Sequence, residues 1–153
     1  MKDSLRIRLK LHTGFDADPD SDPSYLVAEV LVNGAPLADF SYFATDLHSL
    51  LASTKDSGEF FIITCWCGHP GCAGLRRGIE VRREPKVVYW RVLQPGPERR
   101  FVFEREAYDE AINNVARDCK RWLAKQPFVQ QDEHPIAVTP DRNRAFFGLT
   151  PGC

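Results

Sequence analysis

The sequence predicts an α+β fold in which one long and one short helix pack on a single, mostly antiparallel sheet of about six or seven strands. Apolar residues alternate with charged ones from Leu5 to Leu11, which is the period of a half-buried strand. Asn33-Gly34 supplies the two positive φ values of a tight hairpin turn, so the flanking strands should pair antiparallel. Residues 105–125 carry apolar side chains at three- and four-residue spacing, the pattern of an amphipathic helix.

Length and composition favour one soluble domain. With 153 residues, 27% of them charged and 43% hydrophobic, the chain fits a single globular domain over residues 1–153. No apolar run approaches the roughly 18 residues that a membrane span requires, and the N-terminus lacks the continuous apolar core of a signal peptide. We therefore expect a cytoplasmic protein that does not associate with membranes. Its five cysteines should be reduced, since an odd number disfavours a closed set of disulfides.

The first part of the chain predicts a strand, a loop and a hairpin. The loop over residues 15–23 is rich in proline and aspartate, which disfavour both helix and strand interiors. A second strand, Tyr25–Val32, should turn back at Asn33-Gly34 into a third strand, Leu37–Phe43.

A short helix and a buried strand are expected next. Thr45 or Asp46 can cap a helix whose apolar face is formed by Leu47, Leu50 and Leu51. Asp56-Ser57-Gly58 should end this helix, and the nearly continuous apolar run Glu59–Cys65 predicts the central strand.

The second half of the chain begins with another hairpin. Its strands are expected at Gly78–Arg83 and Lys86–Val92, joined by a turn at Glu84-Pro85. The positions expected to face inward are Ile79, Val81, Val88, Trp90 and Val92. A further short strand should follow at Arg100–Phe103.

The longest helix is predicted over Arg105–Lys125. Its apolar stripe consists of Tyr108, Ala111, Ile112, Val115, Cys119, Trp122 and Leu123. Because Cys119 lies on this stripe, we interpret it as a small core residue rather than a ligand. Residues 130–153 show no clear period and are predicted to form an irregular C-terminal tail, which Phe146 and Phe147 could attach to the body.

Charge is distributed unevenly along the chain. Residues 13–59 hold nine acids and the single base Lys55, a net charge of −8, whereas residues 76–105 hold nine bases and four acids, a net charge of +5. The two halves could neutralise each other across the fold or face different partners. Asp16, Asp18, Asp20 and Asp22 are spaced like the ligands of a calcium loop, but Ser21 and Val27 replace the glycine and the glutamate that such a loop requires.

Three cysteines lie in one short loop after the central strand. Cys65, Cys67 and Cys72, together with His69, are the residue types of a tetrahedral zinc site. The fourth ligand would be His69 or a distant group such as His48. The spacing differs from the common zinc knuckle, in which paired cysteines are two residues apart, so a structural thiol-lined turn packed by Trp66 and glycines is favoured over zinc. A third possibility is redox or nucleophilic use of one of these thiols, which requires a lowered thiol pKa.

The run Thr64-Cys65-x-Cys67-Gly68-x-x-x-Cys72-Ala73-Gly74, with the following strands that contain Val81 and Tyr89-Trp90-Arg91, resembles a group of small, mostly uncharacterised bacterial proteins. The resemblance covers roughly residues 60–92. At the level of class rather than motif, such small cytosolic α+β proteins resemble the immunity proteins that neutralise toxins of rival bacteria. This implies a binding protein and names no contact residue.

Motifs of catalysis are absent from the sequence: it has no glycine-rich phosphate loop, nucleophile elbow or zinc-protease motif. We therefore expect a non-enzymatic inhibitor that binds a toxin domain through acidic surface. Its candidate partner-binding residues are Asp16, Asp18, Asp20, Asp22, Tyr25, Asp39 and Tyr42. The alternatives are a zinc-stabilised adaptor built on the cysteine loop and a nucleic-acid-binding module using the basic segment 76–105. A pI near 6.4 disfavours the nucleic-acid module.

Overall fold

The computed structural model describes residues 2–13, 24–125 and 136–148, which adopt a mixed α/β fold. The strands in chain order are β1 (Leu5–Thr13), β2 (Ser24–Val32), β3 (Ala35–Pro36), β4 (Phe43–Thr45), β5 (Gly58–Phe60), β6 (Ile63–Cys65), β7 (Ile79–Arg83), β8 (Val87–Val92), β9 (Arg99–Glu104) and β10 (Ile136–Thr139). The α-helices are α1 (Leu47–Ala52), α2 (Arg105–Asn113) and α3 (Val115–Ala124), and 3₁₀-helices lie at Pro70–Ala73 and Asp141–Phe147. In the described ranges, none of the helices combines the length and the apolar character needed to cross a membrane.

The strands pair mostly antiparallel, but in three sheets. The first contains β1, β2, β3 and β10, the second β4 and β6, and the third β5, β7, β8 and β9. Among these strands, only the pairing of β10 with β2 is parallel. The prediction of mostly antiparallel pairing is therefore confirmed, whereas the prediction of a single sheet is not.

The break between the sheets lies inside the predicted strand Glu59–Cys65. The Ile62 N–H donates to the Phe60 carbonyl oxygen at 2.9 Å, which is a three-residue turn centred on Phe61. This turn ends β5 on the third sheet, and β6 then pairs with β4 on the second. A continuous apolar run does not distinguish one buried strand from two that belong to different sheets.

The hairpin at Asn33-Gly34 forms as predicted, with φ values of 54° and 81°. The prediction of a third strand over Leu37–Phe43 is wrong: β3 covers only Ala35–Pro36, β4 begins at Phe43, and a local turn precedes β4. The Asp39 carbonyl oxygen accepts hydrogen bonds from the N–H groups of Tyr42 and Phe43 at 2.9 and 2.8 Å. The Asp39 carboxylate also accepts from the Ser41 N–H at 3.1 Å, and such side-chain bonds to neighbouring backbone compete with strand pairing.

The predicted long helix consists of α2 and α3, separated at Asn114. Asn114 has φ −82° and ψ −7°, a departure from helical ψ that fits the low helix propensity of the pair Asn113-Asn114. On the apolar stripe, Tyr108, Ile112, Val115 and Cys119 are buried, which confirms Cys119 as a core residue.

The core of the third sheet is aromatic. The Trp90 ring meets Phe103 and Tyr108 edge to face at centroid distances of 5.1 and 5.9 Å. The Tyr108 hydroxyl accepts from Trp90 Nε1 at 3.0 Å and is hydrogen-bonded to Ser53 Oγ at 2.6 Å, so both buried polar side chains have partners. Burial raises the pKa of Tyr108 to about 12. All five inward positions predicted for the hairpin of β7 and β8 are buried.

Residues 136–148 are regular, although they fall within the segment predicted to be an irregular tail. β10 adds to the first sheet beside β2, and the 3₁₀-helix Asp141–Phe147 follows it. Phe147 joins the core as a buried residue, and Phe146 packs against that core. The pairing partner of β10 lies more than a hundred residues away in sequence, so local periodicity could not reveal this strand.

Candidate functional site

The cysteine loop, residues 65–74, begins where β6 ends. The Gly68 N–H donates to the Cys65 carbonyl oxygen at 2.9 Å, which closes a tight turn over Trp66 and Cys67. His69 then precedes the 3₁₀-helix Pro70–Ala73, in which proline occupies the first turn. The loop thus places the three cysteines close together at the surface.

The Trp66 side chain fixes the first half of this loop. Its Nε1 donates to the Phe43 carbonyl oxygen at 2.9 Å. Its ring lies against Tyr25 and His12 at centroid distances of 5.1 and 5.9 Å. The Thr139 hydroxyl donates to the Trp66 carbonyl oxygen. Trp66 is therefore held at both its side chain and its backbone.

The C-terminal segment holds the next peptide of the loop. The Arg142 guanidinium donates to the Gly68 carbonyl oxygen and pairs with the Asp46 carboxylate at 3.2 Å. Gly68 has φ +91°, and a Cβ there would lie 3.2 Å from the Arg142 guanidinium and 3.3 Å from Pro140 Cβ. Both the backbone conformation and the close approach of the C-terminal segment therefore favour glycine at this position.

The three thiols of the loop are free and interact with one another. Cys67 and Cys72 are exposed, and Cys65 is half-buried. A hydrogen bond from the His69 backbone N–H, assisted by the Cys65 and Cys72 thiols, lowers the pKa of Cys67. Hydrogen bonding with the Cys67 sulfur, and secondly the charge of that sulfur, raise the pKa of Cys72. Cys67 therefore ionises at a lower pH than Cys72.

The predicted zinc site is not formed. Over residues 2–13, 24–125 and 136–148, no three histidine, cysteine or acidic side chains are arranged so that they could hold a metal ion. His69 approaches the Cys67 sulfur through its backbone N–H. His48, the more distant candidate for a fourth ligand, donates from Nε2 to the Arg142 carbonyl oxygen at 2.9 Å and packs on Phe146. The thiol-lined turn therefore describes this geometry better than the zinc site.

An open groove connects the cysteine loop with two of the predicted partner-binding residues. It has a volume of about 510 Å³ and is lined by Tyr25, Ser41, Tyr42, Cys65, Trp66, Cys67 and Thr139. Tyr42 is 54% exposed, and its ring meets Phe43 edge to face at 5.1 Å. This groove is called the aromatic groove below. The sequence placed the tyrosines and the cysteines in separate hypothetical sites, and the fold brings them together.

Asp39 lies on the turn that presents Tyr42. Its carboxylate accepts hydrogen bonds from the Ser41 hydroxyl at 2.5 Å and from the Ser41 N–H at 3.1 Å. These bonds, the hydroxyl contributing most, lower the pKa of Asp39 below its ordinary value. The carboxylate is therefore charged at neutral pH and held in one orientation.

The remaining acids of residues 13–59 have different roles. Glu29 is buried and pairs with Arg8 at 2.6 Å and with His12 at 2.9 Å. Asp46 caps α1, and Glu59 binds the Gly78 N–H at 2.8 Å. Within the described ranges, Asp39 and Asp56 are the acids of this segment that form no ion pair. Asp16, Asp18, Asp20 and Asp22 lie outside the described residues.

Four arginines of the 76–105 segment pair with glutamates on or beside the third sheet. Arg91 contacts Glu98 at 2.6 Å and Glu80 at 3.2 Å, and Arg100 also contacts Glu98. The other surface pairs are Arg77 with Glu59 and Glu80, and Arg82 with Glu84. Of the pairs on this face, only Arg77–Glu59 joins the two oppositely charged segments, so neutralisation here occurs within the 76–105 segment rather than between the segments.

Sequence reasoning missed the contribution of Thr139, Arg142 and Asn143. Asn143 is buried, accepts from the Leu47 N–H at 3.0 Å and donates to the Thr45 carbonyl oxygen at 2.8 Å. These contacts connect positions 73 to 98 residues apart in sequence. No periodic or motif signal in the sequence marks them.

No protein-family model, curated protein sequence or solved structure matches this chain, so no family is assigned to it.

Proposed function

We propose that this protein is a cytoplasmic, non-enzymatic inhibitor of the immunity type, which binds a toxin domain that carries a basic surface. The observation that carries the proposal is the convergence of Tyr25 and Tyr42 on one open groove, beside the turn that bears Asp39. Tyrosine is among the residues that contribute most to binding at protein interfaces, because it buries a large, rigid, amphipathic side chain.

Preorganisation of the turn at Asp39 supports this proposal. Two backbone hydrogen bonds to the Asp39 carbonyl oxygen and two to its carboxylate hold the turn that carries Tyr42. The edge-to-face contact with Phe43 also supports the Tyr42 ring. A residue that is ordered before binding loses little conformational entropy on association, so more of its contact energy appears as affinity.

Charge complementarity indicates the chemistry of the partner. Asp39 is ionised beside the groove, while Glu29, Asp46 and Glu59 have partners inside the protein. The proposed acidic docking residues are therefore Asp39 together with Asp16, Asp18, Asp20 and Asp22, which precede Tyr25 in the sequence and lie outside the described residues. Carboxylates facing a basic cleft accelerate association and disfavour partners of like charge.

The two alternatives receive less support. A nucleic-acid-binding face on the third sheet would use arginines whose charge neighbouring glutamates already balance, which weakens the attraction of this face for phosphate groups. A zinc-stabilised adaptor would require a ligand set that the cysteine loop does not present.

The test is a kinetic comparison on a partner obtained by affinity capture from the source cell and then purified. We expect Tyr42→Ala to weaken binding by about 2 kcal/mol, which is about thirtyfold in Kd. Tyr89→Ala is the matched control, because Tyr89 is a half-buried tyrosine on β8 that does not line the aromatic groove. Equal Kd values for the two variants and the wild type would refute the groove as the binding surface.

The acidic contribution is tested separately. We expect the double variant Asp18→Lys, Asp20→Lys to associate more slowly and with a weaker dependence on ionic strength than the wild type. Unchanged association kinetics in this variant, or turnover of a small molecule by the protein alone, would remove acidic docking from consideration.

A further inference from the structure

The cysteine loop combines chemical features that binding to a partner does not require. Cys67 and Cys72 are both exposed, and their sulfurs are close enough for each to shift the pKa of the other. Hydrogen bonding from the His69 backbone N–H is the main cause that lowers the pKa of Cys67. An N–H group that donates to a cysteine sulfur favours the charged thiolate, which is the nucleophilic form of cysteine.

Cys67 occupies the most firmly held part of the loop. The preceding carbonyl group, that of Trp66, accepts from Thr139, and the following one, that of Gly68, accepts from Arg142. Cys72 lies instead on the 3₁₀-helix Pro70–Ala73 between Gly71 and Gly74, where a Cβ on either glycine would meet no atom within 4 Å. The loop therefore places Cys67, whose neighbouring carbonyl groups are held, beside Cys72, whose neighbouring glycines have open space around them.

Access from solvent is available on more than one side. Cys67 lines the aromatic groove and also a second open groove of about 610 Å³, which contains Phe60, Phe61 and Arg142. A small molecule can approach the sulfur through either groove.

We propose that Cys67 and Cys72 form a thiol–disulfide exchange site, in which Cys67 attacks a low-molecular-weight aliphatic disulfide and Cys72 resolves the adduct. This site goes beyond the proposed inhibitor function and does not depend on it. The reaction is stoichiometric, since one protein molecule supplies two thiols and ends with one internal disulfide.

The exchange proceeds in two displacements. The Cys67 thiolate attacks one sulfur of the disulfide; the new bond joins protein and reagent, the original sulfur–sulfur bond breaks, and the first thiolate leaves. The Cys72 thiol then loses its proton to solvent and attacks the Cys67 sulfur, which expels the second thiolate. The two cysteines lose two electrons, and the small disulfide gains them as two thiols.

Cys72 suits the resolving step better than Cys65. Cys65 is paired with Phe43 in the β4–β6 ladder, and its side chain is less exposed to solvent than that of Cys72. A disulfide between Cys65 and Cys67 would close across Trp66 alone, whose side chain and carbonyl group are both held in place. Departures from disulfide geometry store strain, so the pairing that allows the backbone to adjust is favoured.

The experiment uses the purified full-length protein, glutathione disulfide at neutral pH, and intact-mass and peptide-mapping mass spectrometry over time. In the wild type we expect a transient glutathione adduct on Cys67 and then loss of two hydrogens, with the disulfide mapped to Cys67–Cys72. In Cys72→Ser the adduct should persist, and in Cys67→Ser both the adduct and the internal disulfide should be lost. Cys119→Ser is the matched control and should behave as wild type, because burial raises the pKa of Cys119 to about 12.

The fold of each variant is checked by circular dichroism. Because the side chains of Cys67 and Cys72 are exposed, replacing either one with serine should be compatible with folding. A Cys67 adduct that persists in Cys65→Ser and is resolved in Cys72→Ser would overturn the assignment of Cys72. The absence of any adduct on Cys67 in a folded Cys72→Ser variant would overturn the exchange site. Neither result depends on a binding partner, so either leaves the proposed inhibitor function to its own test.

Discussion

The third sheet and the cysteine loop are held by different kinds of contact. In the third sheet, β7, β8 and β9 are five or six residues long. Trp90 and Phe103 of this sheet pack against Tyr108 of α2 in a buried aromatic cluster. The cysteine loop follows the three-residue strand β6. Side chains of residues 139–143 hold it by hydrogen bonds to backbone carbonyl groups of the loop and of the neighbouring Thr45. Apolar burial provides most of the stability of a domain, whereas directional hydrogen bonds determine local geometry.

This difference fits the chemistry of the two regions. A thiol that is to react must be exposed and oriented, which an aromatic core cannot provide. Side-chain bonds to individual carbonyl groups can orient a loop without burying it. The comparison therefore predicts that substitutions in the aromatic cluster reduce global stability, while substitutions around the loop have smaller and more local effects.

The largest effect is expected from Phe103→Ala. Phe103 is buried between Trp90 and Tyr108, so truncation leaves a cavity and should lower the free energy of unfolding by about 3–5 kcal/mol. Equilibrium denaturation measures this loss. Phe101→Ala is the control on the same strand, and its half-buried ring should make the loss smaller. Equal losses in the two variants would contradict a localised aromatic core.

A smaller loss is expected from Asn143→Ala. The substitution leaves the Leu47 N–H and the Thr45 carbonyl group without their partner in a buried position, which should cost about 2–3 kcal/mol. Hydrogen exchange should show that the Leu47 amide loses protection while β8 is protected as before. If protection falls equally in both places, the C-terminal segment stabilises the whole molecule rather than this region.

Glu29 should make stability depend on acidic pH. Burial raises the pKa of Glu29, but hydrogen bonds from Arg8 and His12 outweigh it and hold the pKa below its ordinary value near 4.5. A carboxylate with a lowered folded-state pKa contributes stability that is complete above the unfolded pKa and is lost as the pH falls through the folded one. Acidification below about pH 5 should therefore remove this contribution.

The check on this prediction is Glu29→Gln. At pH 7 we expect a loss of about 1–2 kcal/mol, kept modest by the solvent exposure of Arg8, and a smaller further loss on acidification than in the wild type. Denaturation curves at neutral pH and below about pH 4 provide the comparison. Parallel pH profiles for the two proteins would show that this carboxylate does not contribute to the dependence.

The smallest effect is expected from Glu98→Gln on the outer face of the third sheet. Glu98 pairs with Arg91 and Arg100, all of them at the surface, where solvent screens the charges. We expect no measurable change in the free energy of unfolding at physiological salt. A clear, salt-dependent decrease in the free energy of unfolding would mean that these surface ion pairs stabilise the third sheet in addition to its buried aromatic cluster.

The sequence by itself determined those features that depend on near neighbours. Alternation revealed β1, the pair Asn33-Gly34 revealed its hairpin, and three- and four-residue spacing revealed the apolar stripe of α2 and α3 and placed Cys119 in the core. Each of these signals spans a few residues, over which backbone geometry fixes the direction of side chains.

Only the tertiary structure decided which segments meet. The division of the run Glu59–Cys65 between two sheets, the addition of β10 to β2, and the convergence of Tyr25, Tyr42 and Cys67 on one groove all involve partners distant in sequence. The same holds for Arg142 at Gly68 and for Asn143 at Leu47. Such contacts follow from the packing of the entire chain, and a local pattern of residue types contains no information about the segment on the other side.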